Sequence, residues 1–242
     1  MKEKVKELLI LILTAAFVLG FAVWRICKPD DAESLAERRK LTQAPALTAQ
    51  NVLSGRFMTD FESYSLDQFP LRDEFRTLKA LFATDVLHQS DNNGLYQERG
   101  YLSKLDYPLN ESSVENAAAR FQAVYDAYLG GNRVYLAVVP DKNYYTSADY
   151  PKMDYAALNA LLAEKMPYAD QIDLTSDLTL ESYYRTDPHW KQEALLPAAR
   201  TILEAMGGTQ QDDYRIIRLD TPFYGAYYGQ YALPVQPDEL RF

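Results

Sequence analysis

Asp187 and His189 stand two residues apart in the segment Thr186-Asp187-Pro188-His189-Trp190. A carboxylate within reach of an imidazole fixes its tautomer and stabilises its protonated form, so that the ring can remove and then return the proton of a hydroxyl nucleophile. Spacing alone leaves a plainer alternative open, in which Asp187 caps the helix that follows and His189 packs beside Trp190. The other histidine, His88, ends an amphipathic stretch beside Gln89-Ser90-Asp91 and reads as a solvated helix end. Lys142 follows an apolar run, where it could bind an anionic group of a substrate or simply face solvent. Two histidines separated by about a hundred residues and a lone Cys27 offer no metal cluster and no disulfide. Without a glycine-rich phosphate loop, the residues call for no cofactor. Among the 19 tyrosines, Tyr224, Tyr227, Tyr228 and Tyr231 cluster. They could serve as stacking platforms for sugar rings or as amphipathic core residues.

These groups need a scaffold, and the apolar periodicity supplies one. Residues from Phe57 to Leu87 recur at helical spacing, and Pro70 divides them into two helices. Asp91-Asn92-Asn93-Gly94 signals a turn, and Leu95-Tyr96 with Tyr101-Leu102 predicts a hairpin around Gly100. Ser112 and Glu115 have capping-box spacing ahead of a helix ended by Gly130-Gly131. Val134 to Val139 reads as a strand buried on both faces, and Ile172-Asp173-Leu174 as a second strand. Asp154 to Met166 is a helix between them, Trp190 to Met206 a helix kinked at Pro197, and Tyr214 to Leu219 a third strand. Such alternation is the mark of an α/β fold with a mostly parallel sheet flanked by helices, which gathers ligands beyond the carboxyl ends of its strands. Asp141-Lys142 and the Asp187-His189 loop both follow strands.

The N-terminus carries a separate message. Leu8 to Trp24 is a run of 17 residues without a charge, which just spans a hydrocarbon core as a helix. Lys2, Lys4 and Lys6 precede it and Asp30, Asp31 and Glu33 follow it. That asymmetry keeps the basic end in the cytoplasm and sends the rest outside, as a single-pass cell-membrane protein with an extracytoplasmic C-terminal domain. A cleaved signal peptide (at Gly20-Phe21-Ala22) and a lipoprotein at Cys27 are the other readings. The organisation expected is a cytoplasmic tip and anchor over 1–27, a stalk over 28–56 with a short helix near Ala32–Lys40, and the α/β domain over 57–242. The formal net charge is -9, and since residues 1–27 carry four Lys/Arg against two Glu, the remainder holds -11. An acidic surface repels nucleic acid and anionic lipid headgroups. The membrane partner is therefore met through the N-terminal helix.

Tyr184-Arg185-Thr186-Asp187-Pro188-His189-Trp190 resembles the signature of the DHHW family of bacterial envelope proteins, which is related to the SGNH-hydrolase-like domains of alginate O-acetylation proteins. Ala36-Glu37-Arg38-Arg39-Lys40-Leu41 with Pro45, Asp67-Gln68-Phe69-Pro70-Leu71-Arg72-Asp73 and Val138-Val139-Pro140-Asp141-Lys142 resemble further family segments in the expected order, from about Glu33 to Tyr231. The resemblance implies an SGNH-hydrolase-like domain that transfers or hydrolyses O-acyl (acetyl) groups of a cell-envelope polysaccharide, with His189 as general base and Asp187 as its orienting partner. In the related domains a nucleophilic serine follows the Asp-x-His motif. Here no serine follows Ser182, no Gly-Asp-Ser stands upstream, and Pro188 occupies the place of the family's histidine. The expectation is therefore a chain incomplete at its C-terminus, with its nucleophile beyond Phe242 and Ser147 or Ser176 as upstream substitutes. The rival is a non-catalytic anchored ectodomain that binds glycan or a partner protein.

Overall fold

A computed structural model describes residues 2–147, 149–209 and 213–242, which fall into two compact units, Met1–Leu87 and His88–Phe242. The first unit opens with α1 (Lys2–Cys27), of which Lys4–Cys27 is long and apolar enough to cross a membrane, with a mean hydropathy of 2.3. Two-residue strands β1 (Glu33–Ser34) and β2 (Arg39–Lys40) pair antiparallel where a short helix was expected. The Ser34 hydroxyl accepts from Glu37 N and so offers the backbone a turn in place of a helix. Helices α2 (Ala49–Leu53), α3 (Arg56–Asp67) and α4 (Arg72–Leu81) follow. Pro70 separates α3 from α4 as the sequence predicts. Asp67 receives Arg39 and the amide and hydroxyl of Thr42, and the Arg39 hydrogen bond holds its carboxyl well below the usual range. A π-type turn (Phe82–Val86) ends the unit; His88, just beyond it, is exposed.

The second unit begins with the expected hairpin, β3 (Leu95–Glu98) and β4 (Tyr101–Lys104). Helix α5 (Glu111–Val124) is capped by Asn110, whose side chain accepts from Ser113 N, so the cap lies two residues before the expected Ser112. Strand β5 (Val134–Val138), helix α6 (Tyr155–Lys165) and strand β6 (Ala169–Asp173) form one parallel βαβ unit, in register from Val134↔Ala169 to Val138↔Asp173. Alternate β5 residues serve two cores: Leu136 and Val138 pack with Ala118, Leu162 and Met166, while Tyr135 and Ala137 pack with Ile172, Leu174, Tyr183 and Ala198. The strand is thus covered on both faces, though each of its residues is only half-buried.

The mostly parallel sheet is a correction. Among the described residues the strands form four separate pairs, and only β5–β6 is parallel. The third strand lies at β7 (Arg218–Phe223) instead of Tyr214–Leu219, and it pairs antiparallel with β8 (Asp238–Arg241) through a register shift between Arg218 and Pro222. Pro222 has no N–H to donate, which suits an edge and interrupts a ladder. Helix α7 (Leu196–Ala205) carries Pro197 in its first turn, where a missing N–H costs no helix bond, so the expected kink does not arise. Helix α8 (Ala226–Tyr231) lies between β7 and β8 in sequence.

Candidate active site

The segment Tyr183–Trp190 is a loop closed at its base. Tyr183 and Trp190 form an antiparallel bridge, Lys191 N donates to Ser182 O at 2.7 Å, and Tyr184 N donates to His189 O at 3.1 Å. Trp190 packs against the core of Ile172, Leu174, Leu178, Tyr183 and Ala198, which anchors the closing end.

Within the loop, His189 Nδ1 lies 2.5 Å from Asp187 Oδ1, and the same oxygen accepts His189 N at 3.1 Å. The other carboxylate oxygen, Oδ2, accepts Ala226 N at 2.9 Å. Asp187 therefore caps no part of α7; it meets the first residue of α8 instead. Burial works against the carboxylate, but the hydrogen bonds from Ala226 and His189 outweigh it and hold its pKa below the ordinary value. An ionised carboxylate can only accept, so Nδ1 carries the proton and Nε2 is the basic nitrogen. The Asp187 side chain is 9% exposed and that of His189 78% exposed. The carboxylate is buried and the imidazole is open to solvent.

Three further contacts hold the loop. Asp238, buried at the start of β8, accepts Arg185 N at 2.6 Å, Thr186 N at 2.8 Å and Thr186 Oγ1 at 2.6 Å. Gly225 N donates to Thr186 Oγ1 at 2.8 Å, and Tyr227 N to Thr186 O at 2.9 Å. A Cβ on Gly225 would sit 2.3 Å from Asp187 Cβ and 2.5 Å from Thr186 O, so only glycine fits there. Lys142, in the 3-10 turn after β5, is fully buried, and its ammonium donates to Tyr184 O at 2.8 Å, Asp187 O at 2.9 Å and Arg185 O at 3.3 Å. Burial pushes its pKa down to about 8, against the upward pull of Asp141, Asp238 and Asp187. Its charge faces loop carbonyls and does not face solvent.

Sequence reasoning found the Asp187-His189 pair and Lys142, and the fold brings all three into one cluster. It missed Gly225, Ala226 and Asp238. Gly225 had a faint signal, a glycine directly before a tyrosine-rich helix, while Asp238 in a polar tail had none. His189 opens on a cavity of about 460 Å³ lined by Val138, Val139, Pro140, Asp141, Tyr155 and Trp190 among others. No serine lines it among the described residues. Ser147 is engaged with Glu98, its hydroxyl 2.9 Å from Oε2. Among the described residues no group of three or more His, Cys, Asp or Glu is placed to hold a metal ion.

No family profile matches the sequence, and no curated protein matches it. Two solved structures are similar in fold. A DHHW family protein from Eubacterium siraeum superposes with a TM-score of 0.51 at 18% identity, over 63% of this chain and 55% of that one. The O-acetyltransferase domain of Pseudomonas putida AlgJ gives a TM-score of 0.46 at 20% identity, over 61% and 63%. This chain spans less than two thirds of either structure. The likeness to the DHHW family protein shows an α/β fold of that type, and at 18% identity it shows the fold alone.

Proposed function

We infer that the chain is an extracytoplasmic SGNH-like domain tethered by α1, in which Asp187 and His189 form the base and orienting pair for chemistry at O-acyl esters of a cell-envelope polysaccharide. The observation that carries this reading is the clamp on His189, with one Asp187 oxygen on the ring and the other on α8. A ring held in one tautomer beside an open cavity is arranged for proton transfer. Nε2 takes the proton of a hydroxyl as its oxygen attacks the acyl carbon, and then returns that proton to the departing alkoxide oxygen. The hydroxyl belongs to water, to the glycan, or to a serine that the described residues do not bring to the cavity. Lys142 serves by holding the loop's carbonyls, and does so without touching the substrate. The basic start of α1 and the acidic segment after it support the outward orientation.

Hydrolysis of a simple acetyl ester and of an O-acetylated glycan by the full chain tests the pair. His189→Ala and Asp187→Asn are each expected to lower the rate about 100-fold or more. Equal rates for the three proteins would remove any catalytic role. That result would favour the second reading, a non-catalytic ectodomain that binds glycan or a partner protein. Its support is the lack of a serine among the described residues lining the cavity, and the Tyr224–Tyr228 ring pair at 4.5 Å.

A further inference from the structure

We propose that the segment Phe69–Leu87, built around α4, lies in the outer lipid interface of the membrane that α1 crosses, giving the first unit a second, in-plane grip on the bilayer. The proposal rests on the reading of α1 as a membrane span. Its starting point is Phe21, inside the apolar run Leu8–Trp24. The Phe21 ring stacks on Phe69 with centroids 5.4 Å apart and planes 2° from parallel, and it meets Phe75 edge-on at 5.7 Å. Phe69 and Phe75 also meet each other, at 5.6 Å. Rings in mutual contact share a depth. Phe21 stands three residues before Trp24, or about 4.5 Å along a helix axis, so side chains that touch it reach the level of the interface and the first acyl carbons. Arg25, one turn further on, marks the water side. It pairs with Asp30 at 2.8 Å and lies 4.6 Å over the Tyr64 ring.

The chemistry of α4 suits that position. Leu71, Phe75, Leu78 and Phe82 follow one helix face at spacings of four, three and four, and all of them are exposed, Leu78 by 61%. Arg72, Asp73, Arg76 and Lys79 occupy the other side, where Arg72 and Arg76 reach Glu37 at 2.7 and 3.0 Å. A helix with one apolar and one charged face lies in the interface with its apolar side about 5–10 Å deep. Apolar surface of this size facing water costs about 25 cal/mol per Å², which lipid removes. Mixed charge on the polar face leaves apolar burial as the attraction, so the contact is insensitive to salt.

The test uses the full chain in vesicles whose acyl chains are brominated. Cys27 is exposed, and Cys27→Ser supplies a thiol-free background. Single cysteines introduced as Leu78→Cys, Val18→Cys and Asp73→Cys carry an environment-sensitive fluorophore. Bromine should quench the labels at 18 and 78 and leave the one at 73 nearly unquenched. Quenching at 18 without quenching at 78 overturns the in-plane helix and leaves the span intact. No quenching at 18 overturns the span and the proposal with it. If the label at 78 is shielded from bromine and Leu78→Cys crosslinks between chains, a second copy covers this face and the proposal is wrong.

Discussion

His189 is the exposed partner in a pair whose other half is buried, and this division sets which of its ring nitrogens meets solvent. Asp187 fixes the proton on Nδ1 because it stays ionised, and it stays ionised because His189 and Ala226 both donate to it. Lys142 acts one step further back, on the carbonyls of Tyr184, Arg185 and Asp187. Its pH behaviour follows from its burial. The folded pKa is about 8 against an ordinary 10.5, so between those values the unfolded chain holds more protons than the folded one. Stability from this group therefore rises with pH across that window, and the cost of burying the charge is fully present below about pH 8. Denaturant titrations of wild type and Lys142→Met should diverge in favour of wild type from pH 8 to 10, by at most about 1.4 kcal/mol per pH unit. A difference that is flat across that range would falsify the titration. At pH 7 the variant leaves the buried carbonyls of Tyr184 and Asp187 without the ammonium, whereas Arg185 O keeps Leu102 N, a loss of roughly 1–3 kcal/mol that opposes the relief of the buried charge.

At the scale of elements, the site is a loop clasped by parts of the chain that follow it. Asp238 of β8 takes the amides of Arg185 and Thr186, and α8 presents Ala226 N to Asp187. The clasp closes only because Gly225 lets the backbone approach. Gly225→Ala would place a methyl 2.3 Å from Asp187 Cβ, and the backbone on one side must retreat. The expected loss is about 2 kcal/mol or more, together with loss of the low-field Nδ1 proton signal of His189 in NMR. A variant that keeps both stability and signal would show that the approach is not needed. The same clasp explains what the sequence could and could not reveal. Local signals were legible: the break at Pro70, the hairpin around Gly100 and the strand-helix-strand order after Val134 follow from residues close in sequence, although the second strand begins at Ala169 and not at the expected Ile172. The partners of Asp187 and Thr186 were not, because they lie 39 and 52 residues away and depend on tertiary packing. The pairing of β7 with β8 was hidden for a related reason. Exposed, polar strands carry little alternation, so their register is set by neighbours and not by pattern.

For the whole molecule the governing features are the apolar helix at one end and the acidic character of the rest. Residues 28–242 carry -11, which disfavours anionic headgroups, so the proposed membrane contact rests on apolar burial. The proposed orientation rests on charge placement. Lys4 and Lys6 lie before the apolar run, while Arg25 just after it is paired with Asp30. In the proposed orientation the three lysines of the N-terminal flank outnumber Glu3 and Glu7 there, which favours keeping that end in the cytoplasm. A reporter enzyme that works only outside the cytoplasm, fused after Phe242, should be active, and a reporter that works only inside should be silent. The reverse pattern would invert the topology and remove His189 from any extracellular polysaccharide. Exchanging Lys4 and Lys6 for Glu weakens the retained flank, so the fusion should shift partly toward the inverted orientation. If the charge exchange leaves the distribution untouched, the basic flank does not set the orientation.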